Sequence, residues 1–173
     1  ATCTVRVSPT ASTSWATAVD LSPAQTYSGS TWTAFSGTVV ATELIIRDGG
    51  FLTYAGVAAN AAATIDLLGG TLWVTNGGTV RGFLDTGFNA SVSSNHYIVT
   101  DLGSIWSNNP ASVGFSLGVS GRDNTFVITN QGRLVDFTGT IGNNAGGSNN
   151  SMTVTGNGSI WTNTSALIVG LNG

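Results

Sequence analysis

Tyr97-Ile98-Val99-Thr100-Asp101-Leu102-Gly103-Ser104-Ile105 reads as a strand, a turn and a second strand. Tyr97 and Val99 are two apart and point the same way in extended chain. Asp101 tolerates positive φ and Gly103 suits a sharp corner. The same pattern returns at Leu44–Leu52, Leu72–Val80, Phe126–Leu134 and Met152–Ile160. Its central aliphatics are Ile46, Val74, Val99, Ile128 and Val154, at steps of 28, 25, 29 and 26 residues. A second column repeats with it: Gly56, Gly87, Gly118, Gly142 and Gly170, followed three residues on by Ala59, Ala90, Gly121, Ala145 and Gly173.

A series of hairpins has no need for the same corner residues at one fixed period. Coils stacked in a parallel β-helix do, because each corner sits on the one before. About 27 residues supply three short strands and three corners, and five coils at about 4.8 Å each rise about 24 Å. A β-propeller blade needs about 40 residues or more, which fits only the 55-residue double period of the shared ending Gly-Ser-Ile-Trp-x-Asn. The fold class expected is all-β: a parallel β-solenoid over residues 42–173, with residues 1–41 as an irregular N-terminal cap or contact segment. Glycines of calcium-binding nonapeptide repeats and the leucine scaffold of leucine-rich repeats are absent.

Composition narrows the function. The chain has 173 residues, five arginines, no lysine, eight acidic residues and a net charge of −3. Charged residues make up 8 %, which gives no basic cluster for nucleic-acid phosphates. At 41 % apolar content with five tryptophans, the chain can bury a core. No run of 18 apolar residues spans a membrane. Cys3 is the one cysteine, so no internal disulfide forms. A start at Ala1 and a Ser/Thr/Asn surface fit secretion.

The segment Asn150-Ser151-Met152-Thr153-Val154-Thr155-Gly156-Asn157-Gly158-Ser159-Ile160-Trp161-Thr162-Asn163, followed by Leu167-Ile168-Val169-Gly170, resembles the repeats of autotransporter-type passenger domains and related bacterial surface proteins. Those repeats read N-x-L-T-V-x-G-x-G-S-x-W-x-N and then L-x-V-G. The resemblance covers about residues 42–173. It implies a right-handed single-stranded β-helix, exported to the cell surface or beyond it, often an adhesin or a stalk. The 173 residues do not extend into the C-terminal membrane barrel that such proteins carry.

Candidate site residues follow from the repeat. Asp48, Asn76, Asp101 and Asn130 form an expected polar turn ladder, with Gly50, Gly78, Gly103, Gly132 and Gly158 as one glycine column beside it. The residues after the corner include Arg81, Trp106 and Trp161. If Ile105 and Ile160 face the bore, both tryptophans face outward, where a strip of them stacks on sugar rings or packs against another protomer. His96 has no neighbouring nucleophile, and no metal site or cofactor is expected. Asp85 and Asp136, placed on loops two coils apart, are the pair a polysaccharide-cleaving enzyme would need, with Arg81, Arg122 and Arg133 to assist. No spacing fixes such a pair, and the expectation is a non-enzyme.

The expected role is therefore an extracellular structural protein that associates with copies of itself, end to end or laterally, into a fibre, stalk or surface layer. A final coil that stops at Gly173 without a polar cap, and few charges to guard its edges, support that expectation. The second expectation is an adhesin that binds glycans.

Overall fold

A computed structural model describes residues 69–82, 93–108 and 114–172, together with strand backbone at 13–15, 19–21, 38–41, 43–46, 51–54, 64–66 and 85–86. Cys3, Asp48 and Gly50, most of the 1–41 segment, and Gly56 and Gly87 lie outside the described residues.

The described residues form strands and corners and no helix. One sheet is built from β2 (Val19–Leu21), β4 (Glu43–Ile46), β7 (Thr71–Val74), β10 (His96–Thr100), β13 (Thr125–Thr129) and β16 (Ser151–Val154). A second stacks β5 (Phe51–Tyr54), β8 (Thr79–Gly82), β11 (Ile105–Ser107), β14 (Arg133–Asp136) and β17 (Ile160–Asn163). A third stacks β9 (Asp85–Thr86), β12 (Phe115–Leu117), β15 (Gly139–Ile141) and β18 (Leu167–Val169). Three strands, β1 (Thr13–Trp15), β3 (Thr38–Ala41) and β6 (Thr64–Asp66), make a separate small sheet. Every pairing is parallel, and each strand pairs with its counterpart one coil away. The architecture is a parallel β-solenoid of about three well-described coils, with about 27 residues per turn.

The expected file of aliphatics is present. Ile46 pairs with Val74, Val74 with Val99, Val99 with Ile128, and Ile128 with Val154. Beside it runs Leu72, Tyr97, Phe126 and Met152. Strict alternation in β10 and β13 sends these residues inward and the threonines, His96, Ile98 and Val127 outward. The bore is filled by four rings: Tyr97, Trp106, Phe115 and Phe126 are fully buried. Their centroids lie 5.0 to 6.1 Å apart, mostly edge to face, the arrangement that suits aromatic quadrupoles. Gly139 sits at the Phe115 position one coil on. A Cβ there would lie 2.6 Å from Cζ2 of Trp161, so the missing side chain is the space the indole uses.

The structure corrects the outward placement of the tryptophans. Val74 to Val80 and Ile128 to Leu134 span six residues, whereas Val99 to Trp106 and Val154 to Trp161 span seven. Trp106 pairs with Val80 and Leu134, and Trp161 with Leu134. Trp106 is fully buried in the bore. Ile105 and Ile160 instead take the outer position beside Thr79 and Arg133. One extra corner residue inverts a period-two pattern, because every side chain after it changes face.

The glycine column also divides. In the short corners, Thr75 carbonyl accepts from Gly78 N–H at 2.9 Å, and Thr129 carbonyl from Gly132 N–H at 2.9 Å. Asn76 and Gly77 have φ of 47° and 80°, and Asn130 and Gln131 have 49° and 72°. In the long corner, Asp101 carbonyl accepts from Ser104 N–H at 3.1 Å, with positive φ at Asp101 and Gly103. Gly103 therefore stacks on Gly77, and Gly158 on Gln131. Gly78 and Gly132 instead share the level of Ser104: the Gly78 carbonyl accepts from Ile105 N–H at 3.0 Å, and the Ser104 carbonyl accepts from Arg133 N–H at 3.1 Å.

Burial separates the two neighbours at the long corner. Trp106→Ala should cost roughly 3–5 kcal/mol, the usual range for removing a buried large aromatic. Ile105→Ala should cost about 1 kcal/mol or less. Urea denaturation of both variants checks this; the reverse ranking would restore the outward tryptophan.

Candidate functional site

Three files of polar side chains run along the solenoid axis. The outer file is the expected turn ladder. Asp101 lies between Asn76 and Asn130. Its Oδ1 accepts from Asn130 Nδ2 at 2.7 Å and from the Thr100 hydroxyl at 3.3 Å. Its Oδ2 accepts from the Thr75 hydroxyl and from Asn76 N–H at 3.4 Å. Gly156 continues the file, with its Cβ position 3.0 Å from Asn130 N. These bonds, above all that from Thr75, hold the Asp101 carboxyl below the usual carboxylate range against the opposing effect of burial. The file satisfies itself along the axis, as stacked amides do.

A second file lies inside and was not picked out in the sequence. Asn95, Asn124 and Asn150 each precede the sheet by one residue. Asn124 Oδ1 accepts from Asn95 N–H at 3.0 Å, and Asn150 Oδ1 from Asn124 N–H at 2.9 Å. Asn95 Oδ1 takes Gly69 N–H at 2.9 Å. Each amide thus ties down a backbone donor of the coil below, which would otherwise be buried unpaired. An Asn two residues ahead of the first bore residue, three times in succession, was the available signal.

The third file is Asn108, Asp136 and Asn163, at the end of the second sheet. Asn108 is fully buried, accepts from the Trp106 indole N–H at 3.2 Å and donates to Gly114 carbonyl at 3.1 Å. Asp136 is also fully buried. It stands in β14 and faces the bore, which corrects its expected place on a loop. Its Oδ2 accepts from the Trp161 indole N–H at 3.2 Å, while its Oδ1 and Asn163 Nδ2 have no partner. Burial pushes the Asp136 carboxyl above the usual range, opposed by the Trp161 indole bond and by the nearby Asn163 amide. Asp85 stands in β9, in register with Ser116.

The remaining candidates lie apart. Arg81 is exposed on the outer face of β8, in register with Ser107. Arg133 is exposed on the same sheet. Asp123 is 3.6 Å from Arg122, both largely solvated, a pairing of small energetic weight. Arg122 also edges a shallow depression with Ser120, Ala145, Gly146 and Ser148. His96 is exposed and bonds the Thr125 hydroxyl at 2.7 Å. Among the described residues, no group of three or more His, Cys, Asp or Glu converges to hold a metal ion.

The coil of β16, β17 and β18 is the last of the described coils. Its bore-side residues stand exposed: Val154 43 %, Leu167 53 % and Val169 69 %. Trp161 is half-buried at the same level, over Gly139. Asp136 is the last charged side chain of the sequence; residues 137–173 carry none. The edges of β16, β17 and β18 each have one strand neighbour in their sheets.

No family model matches the chain, and no curated protein or solved structure matches it. The class that the coordinates define is the parallel β-solenoid.

The depressed carboxyl gives a signed test. Asp101 contributes stability above its unfolded-state pKa, and that contribution disappears as pH falls through the lower folded value. Asp101→Asn should therefore lower the urea midpoint at neutral pH, and the gap from wild type should close in strong acid. A gap of constant size across that range would show that the carboxylate charge contributes nothing.

Proposed function

We propose that this chain is a non-catalytic, extracellular structural β-solenoid that associates with copies of itself through the coil of β16, β17 and β18 into a fibre, stalk or surface layer. One observation supports the reading: the coil of β16, β17 and β18 has no charged side chain and carries the apolar Val154, Leu167 and Val169 at the edge of the described residues. Unpaired edges recruit further strands, and charges are the usual guard against this. Apolar patches of this kind mark contact surfaces. A contact that adds one copy in the same sense as the last does not close, and grows linearly.

The chemistry of the carboxylates supports the non-catalytic part. Asp101 is engaged in a corner ladder, Asp123 beside Arg122, and Asp136 inside the bore. The extracellular part rests on the resemblance of the repeats to bacterial surface proteins and on the near absence of charge. Glycan binding is the second role suggested by the sequence. It loses Trp106 to the bore and keeps the half-buried Trp161 and exposed Arg81 as contacts.

The purified chain should form linear assemblies visible by electron microscopy, with a sedimentation profile that moves to larger species as concentration rises. Val169→Asp combined with Val154→Asp should retain the β circular dichroism spectrum and stop growth. A strictly monomeric wild type at high concentration overturns the proposal.

A further inference from the structure

We propose that Asp136 is a proton-operated latch between the coil of β17 and the coil of β14 beneath it. The side chain belongs to β14, and its register partner is Asn163 of β17. Its Oδ2 receives the indole N–H of Trp161, so the bond crosses from one coil to the next. The carboxyl is fully buried, and its second oxygen has no donor.

The two protonation states make different demands. A neutral acid still offers Oδ2 to the indole and places no charge among the rings of the bore. An ionised carboxylate needs several donors when it is buried, and one indole supplies one. The unpartnered donor beside it is Asn163 Nδ2. That amide is oriented by its own Oδ1, which accepts Ser165 N–H at 3.1 Å. Ionisation therefore pulls on Asn163 and the 163–165 turn, or draws water between the coils. Either response loosens β17 and Trp161.

Among the described residues, the groups shown against the Asp136 carboxyl are Trp161 and Asn163 of β17. Neither is titratable. Asp101, Asp123 and His96 belong to other corners or to the outer face. The latch also bears on assembly, and this part rests on the proposed role of the coil of β16, β17 and β18 as the stacking surface. A coil held firmly in place presents its edges in the register that the next copy needs. Stacking is then favoured in acid and weakened as pH rises past the Asp136 titration.

Two measurements test this on the whole chain. In 1H–15N spectra, the Trp161 indole resonance should titrate with a midpoint above the ordinary carboxylate value of about 4. Asp136→Asn, which keeps size and shape and extends the amide file, should abolish that titration. Assembly rate should fall several-fold between about pH 4 and about pH 8 in the wild type and stay flat in Asp136→Asn. An indole that does not titrate, or that titrates equally in Asp136→Asn, overturns the latch. An indole that titrates as expected while the chain stays monomeric at every pH supports the latch and overturns the stacking role.

Discussion

Every feature of this molecule depends on the parallel backbone ladder between successive coils. Strand polarity never changes, so residue and counterpart one turn on are held about 4.8 Å apart. A side chain in such a ladder has its own kind above and below it. Apolar groups then make a continuous core with no further design, as in the file from Val74 to Val154. Polar groups must pair along the axis or carry a desolvation cost. The three amide and carboxylate files are the outcome of that requirement.

The files differ in how well they meet it. Asn76, Asp101 and Asn130 stand at a solvated corner, where an ionised carboxylate gathers four donors. Asn95, Asn124 and Asn150 are turned inward and spend their oxygens on backbone N–H groups. Asp136 occupies an equivalent inner setting with a group that ionises, one indole donor and one bare oxygen. The same residue type is therefore a stabilising element at one corner and a stressed one at another. The solvent exposure of the corner decides which.

Much of the architecture was legible because its signals are local and periodic. The aliphatic file, the Asn/Asp corner and the turn glycines Gly118, Gly142 and Gly170 all recur where the ladder places them; those three glycines have φ of 69°, 70° and 67°. The orientation of Trp106 and Trp161 was not legible from alternation alone. It depends on whether a corner holds one residue more, and counting from Asp101 or Gly156 gives no sign of it. A clue lay at Trp161, where Gly139 one coil away leaves the space that its ring uses. The single glycine column failed for the same reason. Arg81 stands on the outer face of the second sheet, and Arg133 is exposed on the same sheet. The coil of β16, β17 and β18 could be described from the sequence only as a stretch without charge; which of its aliphatics stand exposed required the coordinates.

The interior asparagines carry a consequence for how the chain finds its fold. Each coil offers almost the same hydrogen-bonding pattern as the next, so a strand that skipped a whole turn during folding would still meet an asparagine in the right place. Amide files therefore exclude small slips and are blind to large ones. The rings are not blind: Trp106 and Phe115 need their own neighbours, and only the coil with Gly139 has room beneath Trp161. The irregular contents of the bore thus label otherwise interchangeable turns and guard against misthreading.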